Sequence, residues 1–418
     1  MANSKLGIPL LRRLRETGTR WMSSPAAGTR FAALWGNGDY GRLGFGNLDS
    51  QSTPKPLFPS SFRDQTLKSI ACGGAHTLFL TESGQVFATG LNDFGQLGIS
   101  DSSSYVTEPV LVSGLEKEIV QISAGYHHSG AITVDGELYV WGRNSNGQLG
   151  LGKKAGKSVC IPTKVELLSG ISIKMVALAS EHSVAVTDDG DALSWGGGDS
   201  GQLGHSGEAG ILGFLKSKSE YVPRRIKKLE GCKVKKVSAG LLHTACVGEN
   251  GSVFIFGERA VSKLRFGDEK NANTPSMLDM LPSSEEVACG GYHTCVVTGA
   301  GELYAWGSNE NGCLGIGTID AFGLPEKVEG PFQKSSVDKV SCGWKHTAAI
   351  SEGKVFTWGW GGSHGTFSED GQSSGGQLGH GSDVDYINPT VVNFGENVRA
   401  VQISCGFNHT GAILVMED

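Results

Sequence analysis

Seven copies of one Gly-rich turn, W-G-x-N-x-x-G-Q-L-G in its fullest form, recur along this chain, each paired with a C-G-x-x-H-T signal. The turns are Trp35-Gly36…Leu43-Gly44, Thr89-Gly90…Leu97-Gly98, Trp141-Gly142…Leu149-Gly150, Trp195-Gly196…Leu203-Gly204, a decayed Phe256-Gly257…Phe266-Gly267, Trp306-Gly307…Leu314-Gly315 and an interrupted Trp358-Gly359…Leu378-Gly379. The histidines of the partner signal are His76, His128, His182, His243, His293, His346 and His409, spaced by 52, 54, 61, 50, 53 and 63 residues. A period in this range marks one supersecondary unit copied in series, and that unit limits the fold before any single residue is weighed.

The copy at residues 119–168 shows what the unit is. Ile119 to Ser123 alternates into Ala124-Gly125, and His128 to Thr133 forms a second run. Asp135-Gly136 is a tight-turn signal before a third run, Glu137 to Trp141. Beyond the Gly-rich turn, Ile161 to Val165 offers a short fourth. Four short antiparallel strands repeated about every 52 residues describe a propeller blade. The decayed fifth copy keeps Val253 to Phe256, so the count stays at seven. The chain enters its first copy late, at Phe31 to Gly36, and leaves its last copy early, after Cys405 to Thr410 and Ala412 to Val415. Each end holds what the other lacks. The expected fold is an all-β, seven-bladed β-propeller over residues 31–418, closed by a blade that both ends share, which removes exposed sheet edges.

Both motifs, in this order and at this period, resemble the regulator-of-chromosome-condensation repeat family across residues 31–418. WD-repeat units are shorter with a different signature, and kelch units lack the H-T/W-G pairing. The resemblance implies a seven-bladed ring with a shared terminal blade. It also brings two activities to weigh. The founding activity is guanine-nucleotide exchange on the GTPase Ran, through one face and a wedge-like insertion. Two insertions exist here, His205–Tyr221 and Gly361–Gly376, and neither matches that wedge residue by residue. The family's plant ultraviolet-B photoreceptor repeats G-W-R-H-T in adjacent blades. The equivalent positions here are Gly74, Tyr126, Ser180, Leu241, Gly291, Trp344 and Phe407, so only Trp344 matches, and Lys345 follows it.

Composition narrows the setting. Gly is 63 of 418 residues and concentrates in the repeated turns, which argues against disorder. No stretch nears 18 consecutive apolar residues, so membrane insertion is not expected. Nine cysteines form no C-x-x-C pair; Cys72, Cys289, Cys342 and Cys405 share one repeat position, which suits small buried residues in a reducing compartment. Residues 1–30 carry Lys5, Arg12, Arg13, Arg15, Arg20 and Arg30 against Glu16 alone, with Leu6, Leu10, Leu11 and Leu14 at helical spacing. This Arg-rich, acid-poor, amphipathic segment reads as a mitochondrial transit peptide. It holds six of the 36 basic residues and one of the 42 acidic ones, so the remaining body has 30 against 41, a net of −11. Such a body is no general polyanion binder.

Catalytic motifs dissolve on inspection. A catalytic base is needed once, whereas the seven histidines occupy one structural position per blade, which suits ring nitrogens satisfying backbone groups between strands. Gly36 to Gly41 and Gly196 to Gly201 spell G-x-G-x-x-G, but more turn follows each where a dinucleotide site needs a helix. No metal or cofactor ligand set is assigned. The charge feature that remains is basic: Lys153, Lys154 and Lys157 after one Gly-rich turn, and Lys216, Lys218, Arg224, Arg225, Lys227 and Lys228 before and through the next blade. Read as loops leaving the same corner of neighbouring blades, they share one face and suit a polyanion or acidic partner. Only Phe214 and Tyr221 interleave them, so stacking readout of RNA is not supported there.

The functional expectation is a non-enzymatic, monomeric, mitochondrial binding platform with no cofactor and no small-molecule substrate. Its expected partners are mitochondrial RNA-processing proteins and RNA. The resemblance to plant organellar members implies support of transcript splicing for respiratory complex I, with exchange on a small GTPase as the alternative and photoreception a weaker one. A reporter fused to residues 1–30 is expected to enter mitochondria under the control of Arg12, Arg13 and Arg15. Cytosolic or nuclear accumulation of that fusion contradicts the targeting assignment.

Overall fold

The computed structural model describes residues 27–205, 219–257, 273–362 and 375–418. Its strands form seven four-stranded antiparallel sheets. In chain order these are blade 1 (67–111), blade 2 (119–164), blade 3 (173–225), blade 4 (234–278), blade 5 (284–327) and blade 6 (337–391). Blade 7 joins Val398–Cys405 and His409–Met416 to Arg30–Gly36 and Gln51–Leu57. The protein is a seven-bladed β-propeller. Its first strand starts one residue before the expected Phe31, and Gly28 N–H already bonds Met416 O at 2.9 Å. The outer strand of blade 2 likewise begins at Ser158 rather than Ile161.

The first strand of each blade lines the central channel, and the fourth faces outward. The second strand of each is buried along nearly its whole length, because neighbouring blades cover both its faces. That is why runs such as Val184-Ala185-Val186 are continuously apolar rather than alternating. The core is divided into seven clusters, one at each blade interface. Between blades 1 and 2, for example, Leu78, Leu80 and Val86 meet Ile119, Ile122 and Trp141. The register between first and second strands shifts in every blade, at positions such as Leu67/Ser69 and Ile119/Gln121. A bulge there sharpens the twist by which each blade fits the next.

Polar bonds lock the interfaces. The repeat histidines turn Nε2 to side-chain hydroxyls, where the sequence reading expected backbone groups. Each places Nε2 on a hydroxyl of the following blade: His76 on Ser129 (2.9 Å), His128 on Ser183 (3.2 Å), His182 on Thr244 (2.8 Å), His243 on Thr294 (2.9 Å). His293 on Thr347 (2.8 Å), His346 on Thr410 (3.0 Å) and His409 on Thr77 (2.9 Å) close the circle. The hydroxyl in turn donates back to a carbonyl of a Gly-rich turn, as Ser129 does to Gln96 O at 2.7 Å and Thr410 to Gln377 O at 2.8 Å. The indoles of Trp141, Trp195 and Trp358 donate to the same carbonyls as their blades' hydroxyls. A hydroxyl has one proton to give. Six of the seven hydroxyls give it to the carbonyl, so there the imidazole must be the donor at Nε2, and Nδ1 of His76, His128, His182, His346 and His409 has no partner.

The relay needs glycine beside it. The Gly of each W-G pair, Gly36 through Gly359, has φ between +99° and +115°. A Cβ on Gly90 would lie 2.4 Å from Ala75 O, and one on Gly36 would lie 2.6 Å from Asn408 O. No other residue allows the turn to come this close to the histidine strand.

Two outcomes follow from the neutral relay. Replacing His346 by Ala leaves the Thr410 hydroxyl without its buried donor and should cost about 1–3 kcal/mol, read by urea unfolding. Burial lowers His76, His128, His182, His293 and His346 from 6.5 to about 3, and His243 to about 4. The folded values lie below the unfolded one, so acid protonates the unfolded chain first. The relay's contribution is therefore whole above pH 6.5 and drains as pH falls from 6.5 toward 3. Thermal melts should drop steeply across that window, and a melting temperature flat from about pH 7.5 to 4.5 contradicts the neutral ring.

Candidate functional site

Antiparallel blades alternate their connections between two faces. One, here the loop face, carries the turns before each repeat histidine and all the Gly-rich turns. The opposite, hairpin face carries the hairpins between second and third strands and the links between blades.

Strand direction divides the basic residues. Lys216 and Lys218, with Phe214, lie outside the described residues. Lys153, Lys154 and Lys157 occupy the loop face, where Gly152 N–H bonds Tyr221 O at 2.9 Å and Lys153 Nζ sits 5.8 Å from the centre of the Tyr221 ring. These lysines therefore do meet the start of the Glu220–Arg225 strand. That strand pairs Glu220 with Gly196 and Arg225 with Leu193, so it runs away from the loop face. Six residues at about 3.3 Å each carry its end to the far side. Arg225, Lys227 and Lys228 emerge on the hairpin face, not beside Lys153. The basic residues thus do not share the single face expected from their order in the sequence, because the Glu220–Arg225 strand crosses the blade between them. Arg224 and Arg225 are also neutralised, by Glu220 and Asp191 at 2.8 Å each. Arg143, Lys153, Lys154 and Lys157 form no ion pair among the described residues.

The loop face carries a second feature. Gly74, Tyr126, Ser180, Leu241, Gly291, Trp344 and Phe407 follow the inner strands and ring the mouth of the channel, a cavity of about 110 Å³. Around it runs an arc of six rings. Phe94 lies 5.0 Å from His127, His127 4.4 Å from Tyr126, and Tyr126 5.1 Å from Phe407. Phe407 stacks on Trp344 at 4.2 Å and 12°, and Trp344 meets Trp360 edge-on at 5.6 Å. The arc crosses blades 1, 2, 7 and 6, and five of its six rings are half-exposed, Trp360 alone being buried.

Small residues make the arc possible. Tyr126 and Phe407 flank blade 1, whose own residue at that position is Gly74. A Cβ there would sit 2.3 Å from Tyr126 O and 2.9 Å from its ring. Likewise a Cβ on Gly291 would sit 2.4 Å from the Trp344 ring. Cations flank the ends: the Arg143 guanidinium lies 5.4 Å from the Phe94 centroid and Lys345 Nζ 5.0 Å from that of Trp344. Arg42, which replaces the Gln of its G-Q-L-G turn, is buried and donates to Gly74 O at 3.2 Å. Burial lowers it to about 10, so it stays charged at neutral pH. Burial, then Arg143, hold His127 at about 4 against the opposing pull of Asp93, and its Nδ1 has no partner. The buried Nε2 atoms of Gln96 and Gln148 are unpartnered too.

This arrangement sets ring faces and cations side by side on one face of the ring. A model of the RCC1-like domain matches residues 31–412. The chain belongs to the RCC1-like domain family. Among its relatives, this RCC1-like protein is 36% identical over 363 residues to the ultraviolet-B receptor UVR8 of Arabidopsis thaliana, covering 86% of this chain and 76% of the receptor. It is 31% identical over 389 residues to the mitochondrial RCC1 domain-containing protein RUG3 of the same plant, covering 91% and 74%. The crystal structure of human WBSCR16 superposes with a TM-score of 0.77 at 25% identity, over 93% of this chain and 99% of that one. Sequence reasoning reached the channel-mouth positions of the RCC1-like ring but not the arc. Phe94 and Trp360 come from other loops and His127 is the residue after Tyr126, and only the distances join them into one arc.

Proposed function

We propose that this RCC1-like ring is a non-enzymatic mitochondrial platform for transcripts and the proteins that process them, acting in splicing of transcripts for respiratory complex I. The observation that carries the reading is the loop face, where half-exposed rings run beside the channel mouth, Arg143 lies against Phe94, and Lys153, Lys154 and Lys157 stand toward the outer rim of the same face. A surface of this kind binds and positions; it does not turn over a substrate. Two facts support the location: the likeness to RUG3, whose name assigns it to mitochondria, and the arginine-rich residues 1–30, proposed as a transit peptide. A light-receptor reading has one observation in its favour, the Trp344–Trp360 pair, yet it lacks the repeated indoles and arginines that the receptor signature requires.

The test is genetic. In a loss-of-function mutant, unspliced mitochondrial transcripts should accumulate and complex I should fall, with both restored by the full chain and not by a chain lacking residues 1–30. Normal splicing in the mutant overturns the proposal. Accelerated nucleotide release from a small GTPase by the purified protein would instead favour exchange.

A further inference from the structure

We infer that single-stranded RNA binds across the loop face, its bases stacking on the arc Phe94–His127–Tyr126–Phe407–Trp344 and its phosphates lying on Arg143, Lys153, Lys154 and Lys157. The inference rests on the platform reading and names its partner and site. Three observations carry it. The first is continuity. Five half-exposed rings follow one another at 4.2–5.1 Å; two contacts are edge-to-face, at 71° for Tyr126–Phe407 and 77° for Tyr126–His127, and Phe407 stacks on Trp344. The stacked pair turns one face of each ring inward, so a base meets the arc on the ring surface left exposed at the channel mouth. Planar bases are the ligand that a series of ring faces fits, because each base presents a π-face regardless of sequence.

The second is charge. The four cations have no acidic partner among the described residues, and they stand on the face that bears the arc. The cations of the Glu220–Arg225 strand are neutralised. Across a body of net −11, that leaves the Phe94 end of the arc as a place where a polyanion gains from the field. Acidic groups do face the arc: Asp93 lies beside His127, and Glu310 lies 3.6 Å from Lys345 at the Trp344 end. Glu310 keeps phosphate from the Trp344 end, and at the Phe94 end the pull of Asp93 on His127 is outweighed by that of Arg143.

The third is space. Gly74 and Gly291 put no side chain at the mouth of the channel, a cavity of about 110 Å³ beside the rings, which leaves room for a flat group to enter. Double-stranded RNA hides both its edges and its faces, so the site selects unpaired strands.

The probe is a fluorescein-labelled oligouridine of about 12 nucleotides, read by anisotropy against the purified chain. Binding should weaken steeply as salt rises, and a duplex RNA competitor should not displace the probe. Trp344→Ala with Phe407→Ala should weaken binding about tenfold or more, whereas Trp344→Phe, which keeps a stacking face, should retain it. Arg143→Glu with Lys153→Glu should weaken binding and flatten the salt dependence, whereas Lys227→Glu with Lys228→Glu, on the other face, should do neither. Far-ultraviolet circular dichroism melts check that each variant folds, and the conservative Trp344→Phe covers a failure of the alanine pair. The inference is overturned if the wild type does not bind the probe, if the alanine pair binds as the wild type does, or if polyglutamate displaces the RNA at equal concentration. A variant that loses RNA yet restores splicing in the mutant also overturns it while leaving the platform reading intact. Normal splicing in the mutant, with RNA binding as described, removes the platform reading and not the site.

Discussion

The bond from a histidine Nε2 to a hydroxyl of the next blade is the interaction on which the ring depends. It occurs at all seven interfaces, and its last member, His409 to Thr77, joins the end of the chain to its beginning. Dispersion between apolar clusters supplies most of the energy of such an interface, but it is tolerant of sliding. The relay is not. A neutral imidazole, a hydroxyl with one proton and a turn carbonyl, which in three blades also receives an indole, must be placed within hydrogen-bonding distance, and this fixes the angle between blades. Seven repetitions of one angle close a circle.

That division explains where variation is permitted. Inside the blades, each position of the repeat answers to the relay, the bulge or the glycine turn. At the channel mouth, the residue after the inner strand touches only loops, and it changes freely from Gly74 to Tyr126 to Ser180 to Trp344. Such positions, held by a rigid scaffold, are where binding specificity can be written without disturbing the fold. Two glycines there are as functional as the rings, because the space they leave is the space in which neighbouring rings meet.

Much of this architecture could be read from residues alone. The fixed spacing of His76 through His409 gave the blade count, and the incomplete ends gave the shared blade. The relay was half visible: the Ser or Thr after each histidine belongs to the motif, but its partner is the preceding blade's histidine, some 50 to 60 residues away. Nothing local announces that. The same limit hid the arc, whose members lie in loops as distant as Phe94 and Phe407. It also misled the charge reading, since Arg225 and Lys153 are separated by a strand direction that a list of lysines does not contain. Period and composition report what one unit repeats; they are silent on what different units bring together.

The blade made from both termini has a consequence for the order in which the molecule can form. Strand Arg30–Gly36 lies between Gln51–Leu57 and His409–Met416, so one of its two neighbours is local and the other lies beyond the six intervening blades. Until that segment arrives, blade 1 and blade 6 each present a bare interface and the early hairpin has one side open. Such a chain is a spring held apart until its most distant pairing forms. Closure then depends on the His409–Met416 strand, without which six blades stand in an arc that cannot shut.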